Sequence, residues 1–241
     1  MWSYLSNTVK IRSMRVALFL SLIMCFEVNA QSFGQNKVQY KVFDWNYIQT
    51  SHFDIYYYDG EQDLAEFVAD VAEDSYEQIS IHLRWNLKNR VSIMVYNSHN
   101  EFQQTNIVRP YMREGIGGVT ELFKNRVVFP FEGNYEQFRH VIHHELVHAM
   151  INDMIYGGRM QNIISSRAKI RVPIWSNEGL AEYLSSNWDT KADMTMRDIA
   201  VHERMPSVKE LNYFMAYKGG QSLWRFITGK YGREKIADVF R

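Results

Sequence analysis

Cysteine is almost missing from this sequence: its one copy, Cys25, lies in an apolar stretch near the N-terminus. That excludes a disulfide framework and a thiol nucleophile in the rest of the chain, so any metal must be held by His, Asp or Glu. An excess of one charge is missing too, since 27 Lys and Arg balance 27 Asp and Glu. No polyanion-binding surface is announced, and nucleic acid is not an expected partner. Long apolar runs are also absent. The run "VALFLSLIMCF", Val16–Phe26, is too short to cross a bilayer with ease. Repeats and low-complexity segments are not found.

The short apolar run sits behind Lys10, Arg12 and Arg15 and ahead of Val28-Asn29-Ala30. A basic segment, an apolar core and small residues at the cleavage offsets make the layout of a secretory signal. We therefore expect a signal peptide over residues 1–30, no stable membrane span after its removal, and an exported protein of the periplasm or cell envelope. A retained membrane anchor is the competing reading. Met24 stands where a lipid-anchoring signal wants a small residue before Cys25. The remainder suits one domain, residues 31–241, with a sheet part over about 38–133 and helices over about 134–241. The helical pattern of "REKIADVFR" at the end leads us to expect that the natural chain continues past residue 241.

Hydropathy patterning gives the elements. "HFDIYYY", His52–Tyr58, alternates as a strand, and "VSIMVY", Val91–Tyr96, is β-branched and apolar. Between them, Asp63–Leu83 carries apolar residues at helical spacing. Gly115–Glu132 reads as two strands joined near Lys124-Asn125, with Pro130 best tolerated at an edge. A long helix is expected over Tyr135–Tyr156, capped by Asn134 and ended by Gly157-Gly158. Shorter helices follow at Trp175–Ser186, around "KELNYFM" and around "GQSLWRFITGKYG". The order of strand, helix, strands and helices is that of an α+β fold, a small mixed or antiparallel sheet packed on the long helix and followed by a helical subdomain.

The long helix contains "RHVIHHELVHAM", with four histidines and one glutamate in nine positions. His144 and His148 are i and i+4, so they project from one helix face and can hold one ion. Glu145 lies about 100° around, placed to reach a water on that ion rather than to ligate it. The motif alone also fits a buried helix that happens to be rich in histidine. A catalytic zinc wants a third protein ligand and an open position. In "PIWSNEGLAEYLSS", Glu178 and Glu182 share a face at i and i+4, and packing this helix across the first can bring Glu178 to the metal and Glu182 to a ligand histidine. A solvated helix face is the alternative for both glutamates. His140, one turn before His144, lines or supports the site, whereas His143 lies off the metal face.

"HHELVH" followed by "WSNEGLAEY" resembles the gluzincin metallopeptidases, the thermolysin- and aminopeptidase-like zinc enzymes. The resemblance implies a zincin-like fold, one Zn²⁺ bound by His144, His148 and Glu178, Glu145 as general base, and a peptide or protein substrate. "AYKGGQSLWRFI" is similar to the family's Y-x-x-G segment, which implies that Tyr217 donates to the oxyanion formed in the transition state. "GIGGVTE" resembles the glycine-rich edge strand that aligns substrate backbone, implying substrate contacts at Gly117, Gly118, Val119 and Thr120. The glutamate that holds a free amine in aminopeptidase-type members would fall at Thr120, and Glu121 faces the other way. The resemblance thus implies an endopeptidase more than an aminopeptidase. The chain also looks similar to exported bacterial proteins in which such a domain continues into a β-propeller, so that a propeller or an envelope partner is expected beyond it. The competing functional reading is a weakly active or inactive binding and assembly module of the cell envelope.

Overall fold

A computed structural model describes residues 37–107, 112–122, 124–157 and 172–240. The expected signal peptide lies outside them. Val38–Arg241 makes one compact unit. Its elements are β1 (Asn46–Gln49), β2 (Phe53–Tyr57), α1 (Gln62–Leu83), β3 (Val91–Tyr96), α2 (His99–Phe102), β4 (Val119–Glu121) and β5 (Arg126–Pro130). The helices α3 (Tyr135–Tyr156), α4 (Ile174–Ser186), α5 (Thr190–Val201), α6 (Tyr213–Tyr231) and α7 (Lys235–Val239) follow. The fold among the described residues is mixed α+β, with seven helices and one open five-stranded sheet. None of these helices is long and apolar enough to cross a membrane.

The sheet runs in the order β1-β2-β3-β5-β4. Its centre is parallel (β2 with β3, β3 with β5), and both edges are antiparallel (β1 on β2, β4 on β5). Strand alternation sends Phe53, Ile55, Ile93, Val127 and Phe129 to one face, where they join Leu64, Val68, Ile79, Ile142 and Leu146 of α1 and α3 in the main core. Ile142 and Leu146 are fully buried, each contributing roughly 1.5–3 kcal/mol of hydrophobic stabilisation. The other face carries a smaller cluster of Tyr58, Tyr96, Phe102 and Val128, with Phe43 and Trp45 against it.

Most expected elements form, with local corrections. Pro130 is not on an edge strand, because β5 lies between β3 and β4. It sits at the end of β5, past Val128, where pairing with β4 stops, so its missing N–H interrupts no ladder on that side. The turn between β4 and β5 is made by Asn125, a left-handed residue at φ 50. "KELNYFM" is not one helix. Val208–Glu210 forms a single 3₁₀ turn closed by a Ser207/Glu210 capping box, and α6 starts afresh at Tyr213. Three elements, β1, α2 and α5, were not expected from the sequence.

Candidate metal centre

Helix α3 is held at both ends. At its start the Asn134 side chain accepts from Gln137 N at 3.0 Å. At its end Gly157 adopts φ 63 and donates to Asp153 O at 2.7 Å. The buried Asp153 carboxylate accepts from Trp85 Nε1 at 2.9 Å and Lys88 N at 3.1 Å, tying the last turns to the segment after α1. Asn125 Nδ2 donates to Ala149 O at 3.1 Å. These bonds fix how the helix is rotated, and hence where His144, Glu145 and His148 point.

The position of α4 is set by a close crossing with α6. A Cβ on Gly179 would fall inside the backbone of Gly220, and one on Gly220 would strike Trp175 O. The two glycines let the helix backbones touch. Trp224 Nε1 donates to Ser176 O at 2.9 Å, and Gln221 Nε2 donates to Asn187 O at 2.7 Å, so the crossing is also hydrogen-bonded. Glu178 is the neighbour of Gly179, and Tyr217 lies three residues before Gly220. The crossing therefore positions both.

Three donor atoms converge. His144 Nε2 and His148 Nε2 are 3.2 Å apart, and Glu178 Oε2 is 3.3 Å from each. A tetrahedral zinc with bonds of about 2.0–2.1 Å requires ligand-to-ligand edges of about 3.3 Å. Two imidazole nitrogens and a carboxylate oxygen facing one point also need a proton or a cation between them. The donor set thus fits one zinc ion in both spacing and chemistry.

The carboxylates and imidazoles of the cluster shift one another's charge. Burial opposes charge on Glu178, but bonds to His144 and His148 hold its carboxyl well below the usual range. Burial likewise opposes a charged His144, yet Glu178 and Glu182 raise the ring to about 9. Glu182 lies behind His144, with Oε1 at 3.4 Å from Nδ1. The same oxygen is 3.6 Å from His140 Nε2, and Oε2 accepts from Lys218 Nζ at 2.8 Å. His140 Nδ1 meets Ser186 Oγ at 3.0 Å. Burial would push Glu182 up, but these partners hold it far below its ordinary value. His148 Nδ1, by contrast, is buried with no partner among the described residues.

Tyr217 stacks on the His144 ring, with centroids 5.9 Å apart and planes 17° from parallel. Burial first, and then the nearby Glu178 carboxylate, raise its pKa well above that of a free phenol. The hydroxyl is thereby kept as a donor. Beside the cluster lies a cavity of about 1000 Å³ whose wall includes His140, Glu182, Tyr217 and Lys218.

The edge strand β4 faces the same site. Thr120 Oγ1 is 2.7 Å from Glu145 Oε2 and 3.0 Å from Glu145 O. Gly118, on the same strand face, would place a Cβ 2.9 Å from Glu145 Cγ. Gly117 sits against Val141, and Val119 pairs with Val128 on the far face. Glu121 turns away and accepts from Arg126 Nε at 2.8 Å.

His143 points elsewhere. It is buried, and burial together with His140 and His144 lowers its pKa to about 4. His52 pairs with Glu73 at 2.7 Å, His99 lies 3.5 Å from Glu132, and His202 lies 3.3 Å from Asp198, all away from the cluster. The residue that sequence reasoning missed is Lys218. It pairs with Glu182, and its position next to Tyr217 in the sequence was the signal there to use.

Comparisons with known proteins add no relative, since no family model, curated protein or solved structure matches the chain.

Proposed function

We propose that this chain is a zinc-dependent metallopeptidase of the gluzincin type, cutting within peptide chains rather than removing N-terminal residues. The observation that carries the reading is the convergence of His144 Nε2, His148 Nε2 and Glu178 Oε2 at mutual distances of 3.2–3.3 Å. Its zincin-like character is supported by the order of parts: an antiparallel edge strand, the H-E-x-x-H helix, then a crossing helix that brings the third donor.

His144, His148 and Glu178 would hold the ion, and Glu182 would orient His144 through Nδ1. When bound, zinc would polarise the scissile carbonyl and lower the pKa of water from about 15.7 towards 7. Glu145 takes a proton on its carboxylate and passes it to the leaving nitrogen. Tyr217 turns its hydroxyl to the oxygen on which charge develops. The edge of β4, unpaired among the described residues, offers main-chain groups to an extended substrate, and the cavity beside Tyr217 takes its side chains. The endopeptidase preference rests on β4. Thr120 has no carboxylate to offer, and that of Glu121 is engaged by Arg126, so neither holds a substrate amine.

The purified full-length chain is expected to carry one zinc ion. Glu178→Ala should weaken zinc binding by more than about a hundredfold, beyond the 10–100-fold typical of residues behind the ligands. Equal zinc content in the two proteins, by atomic absorption, would overturn this ligand set. Zinc with no turnover on a broad peptide library would favour the envelope binding module instead. Tyr217→Phe should retain zinc and KM while kcat falls about 10²–10³-fold. An unchanged kcat would remove Tyr217 from the mechanism.

A further inference from the structure

The hydroxyl of Thr120 stands within hydrogen-bonding reach of two acceptors on one residue, Glu145 Oε2 at 2.7 Å and Glu145 O at 3.0 Å. The strand register makes this no accident. Thr120 pairs with Val127, whose side chain enters the core between sheet and helix, so Thr120 faces α3 as well. Two residues earlier Gly118 leaves space on the same face for the Glu145 methylene group. The strand thus shapes a slot for one glutamate, with a hydroxyl at its end.

We infer that Thr120 is a positioning residue for Glu145: it clasps Oε2 and leaves Oε1 as the oxygen that exchanges protons with the substrate. The inference rests on the peptidase reading for its catalytic consequence. It changes the role expected for Thr120, from a contact to substrate to a support for the base. The hydroxyl serves both halves of the proton's journey. While Glu145 is a carboxylate, Thr120 donates to Oε2. When Oε1 has taken a proton, Thr120 can still donate to Oε2, or turn its hydrogen to Glu145 O, without the carboxyl leaving its place. A hydroxyl can do this because it rotates about one bond and both acceptors lie in reach.

The test uses Thr120→Val, which keeps the shape and loses the hydroxyl, and Thr120→Ser, which keeps the hydroxyl. In the zinc-loaded full chain, Thr120→Val should lower kcat about 10–100-fold with KM within about twofold, and Thr120→Ser should stay within about threefold of wild type. A Thr120→Val enzyme as fast as wild type would overturn the inference. A second readout does not need turnover. Melting temperatures of wild type, Thr120→Val, Glu145→Ala and the double variant form a cycle. Thr120→Val should lower the melting temperature clearly less on the Glu145→Ala background than in wild type. Equal lowering on both overturns the clasp, whatever the activity. Non-additivity in a chain that hydrolyses no peptide would instead overturn the peptidase reading and leave the Thr120–Glu145 clasp standing.

Discussion

Glu145→Gln should keep its zinc and lose peptide hydrolysis by about 10²–10⁴-fold or more. The substitution is close to isosteric, so the slot between Gly118 and Thr120 stays filled and the Thr120 hydroxyl still finds an oxygen to bond. What disappears is basicity, because an amide cannot take a proton from water at neutral pH. His144, His148 and Glu178 are not touched, and metal content measured beside kcat should match wild type. The contrast with Glu178→Ala is the useful part. One variant would separate metal from activity and the other would remove both. A Glu145→Gln protein that cleaves peptides at the wild-type rate would sink the mechanism, since no other carboxylate among the described residues is suitably placed: Glu178 is a proposed ligand, and Glu182 is held by Lys218.

The second large effect is structural and needs no assumption about zinc. Gly179→Ala puts a methyl group into the Gly220 backbone, and neither helix offers a flexible side chain that could move aside. Overpacking against a rigid backbone costs about 3 kcal/mol or more. For a chain of this size that is a fall of about 6–12 °C in melting temperature. The separation of α4 and α6 would also carry Glu178 away from His144 and Tyr217 away from Glu178. Gly229→Ala, on α6, is the control. Nothing lies within 4 Å of its added Cβ, so the better helix former should stabilise by up to about 1 kcal/mol. If Gly179→Ala melts with wild type, the close crossing is not what holds these helices.

The long helix could be read from the sequence to its last residue because three signals agreed there. Asn134 caps it, Gly157 ends it in a left-handed conformation, and the apolar spacing runs through. β3 was equally legible as an unbroken β-branched run. The missed elements have weaker physical marks. β1 is an exposed four-residue edge, and α5 is polar on average and buries only Ala192 and Met196, so neither presents many apolar residues. For the site, the helical offset of four puts His144 and His148 on one face, and the packing of α4 brings Glu178 to their ring nitrogens. The clasp by Thr120 and the pairing of Glu182 with Lys218 were not legible. Both depend on tertiary contacts between segments 25 and 36 residues apart, on which local pattern is silent.

The anchoring of α3 at Asn134, Ala149 and Asp153 has a further consequence. Rotation of the helix by one residue would turn His144 and His148 away from Glu178, and those bonds resist it. The ordering entropy of the ligands is then spent when the chain folds, not when an ion arrives. In small zinc modules the ion and the fold appear together. Here the hydrogen bonds that set α3 and α4 involve none of the three donor side chains, so the proposed centre is a preformed socket whose shape the fold supplies.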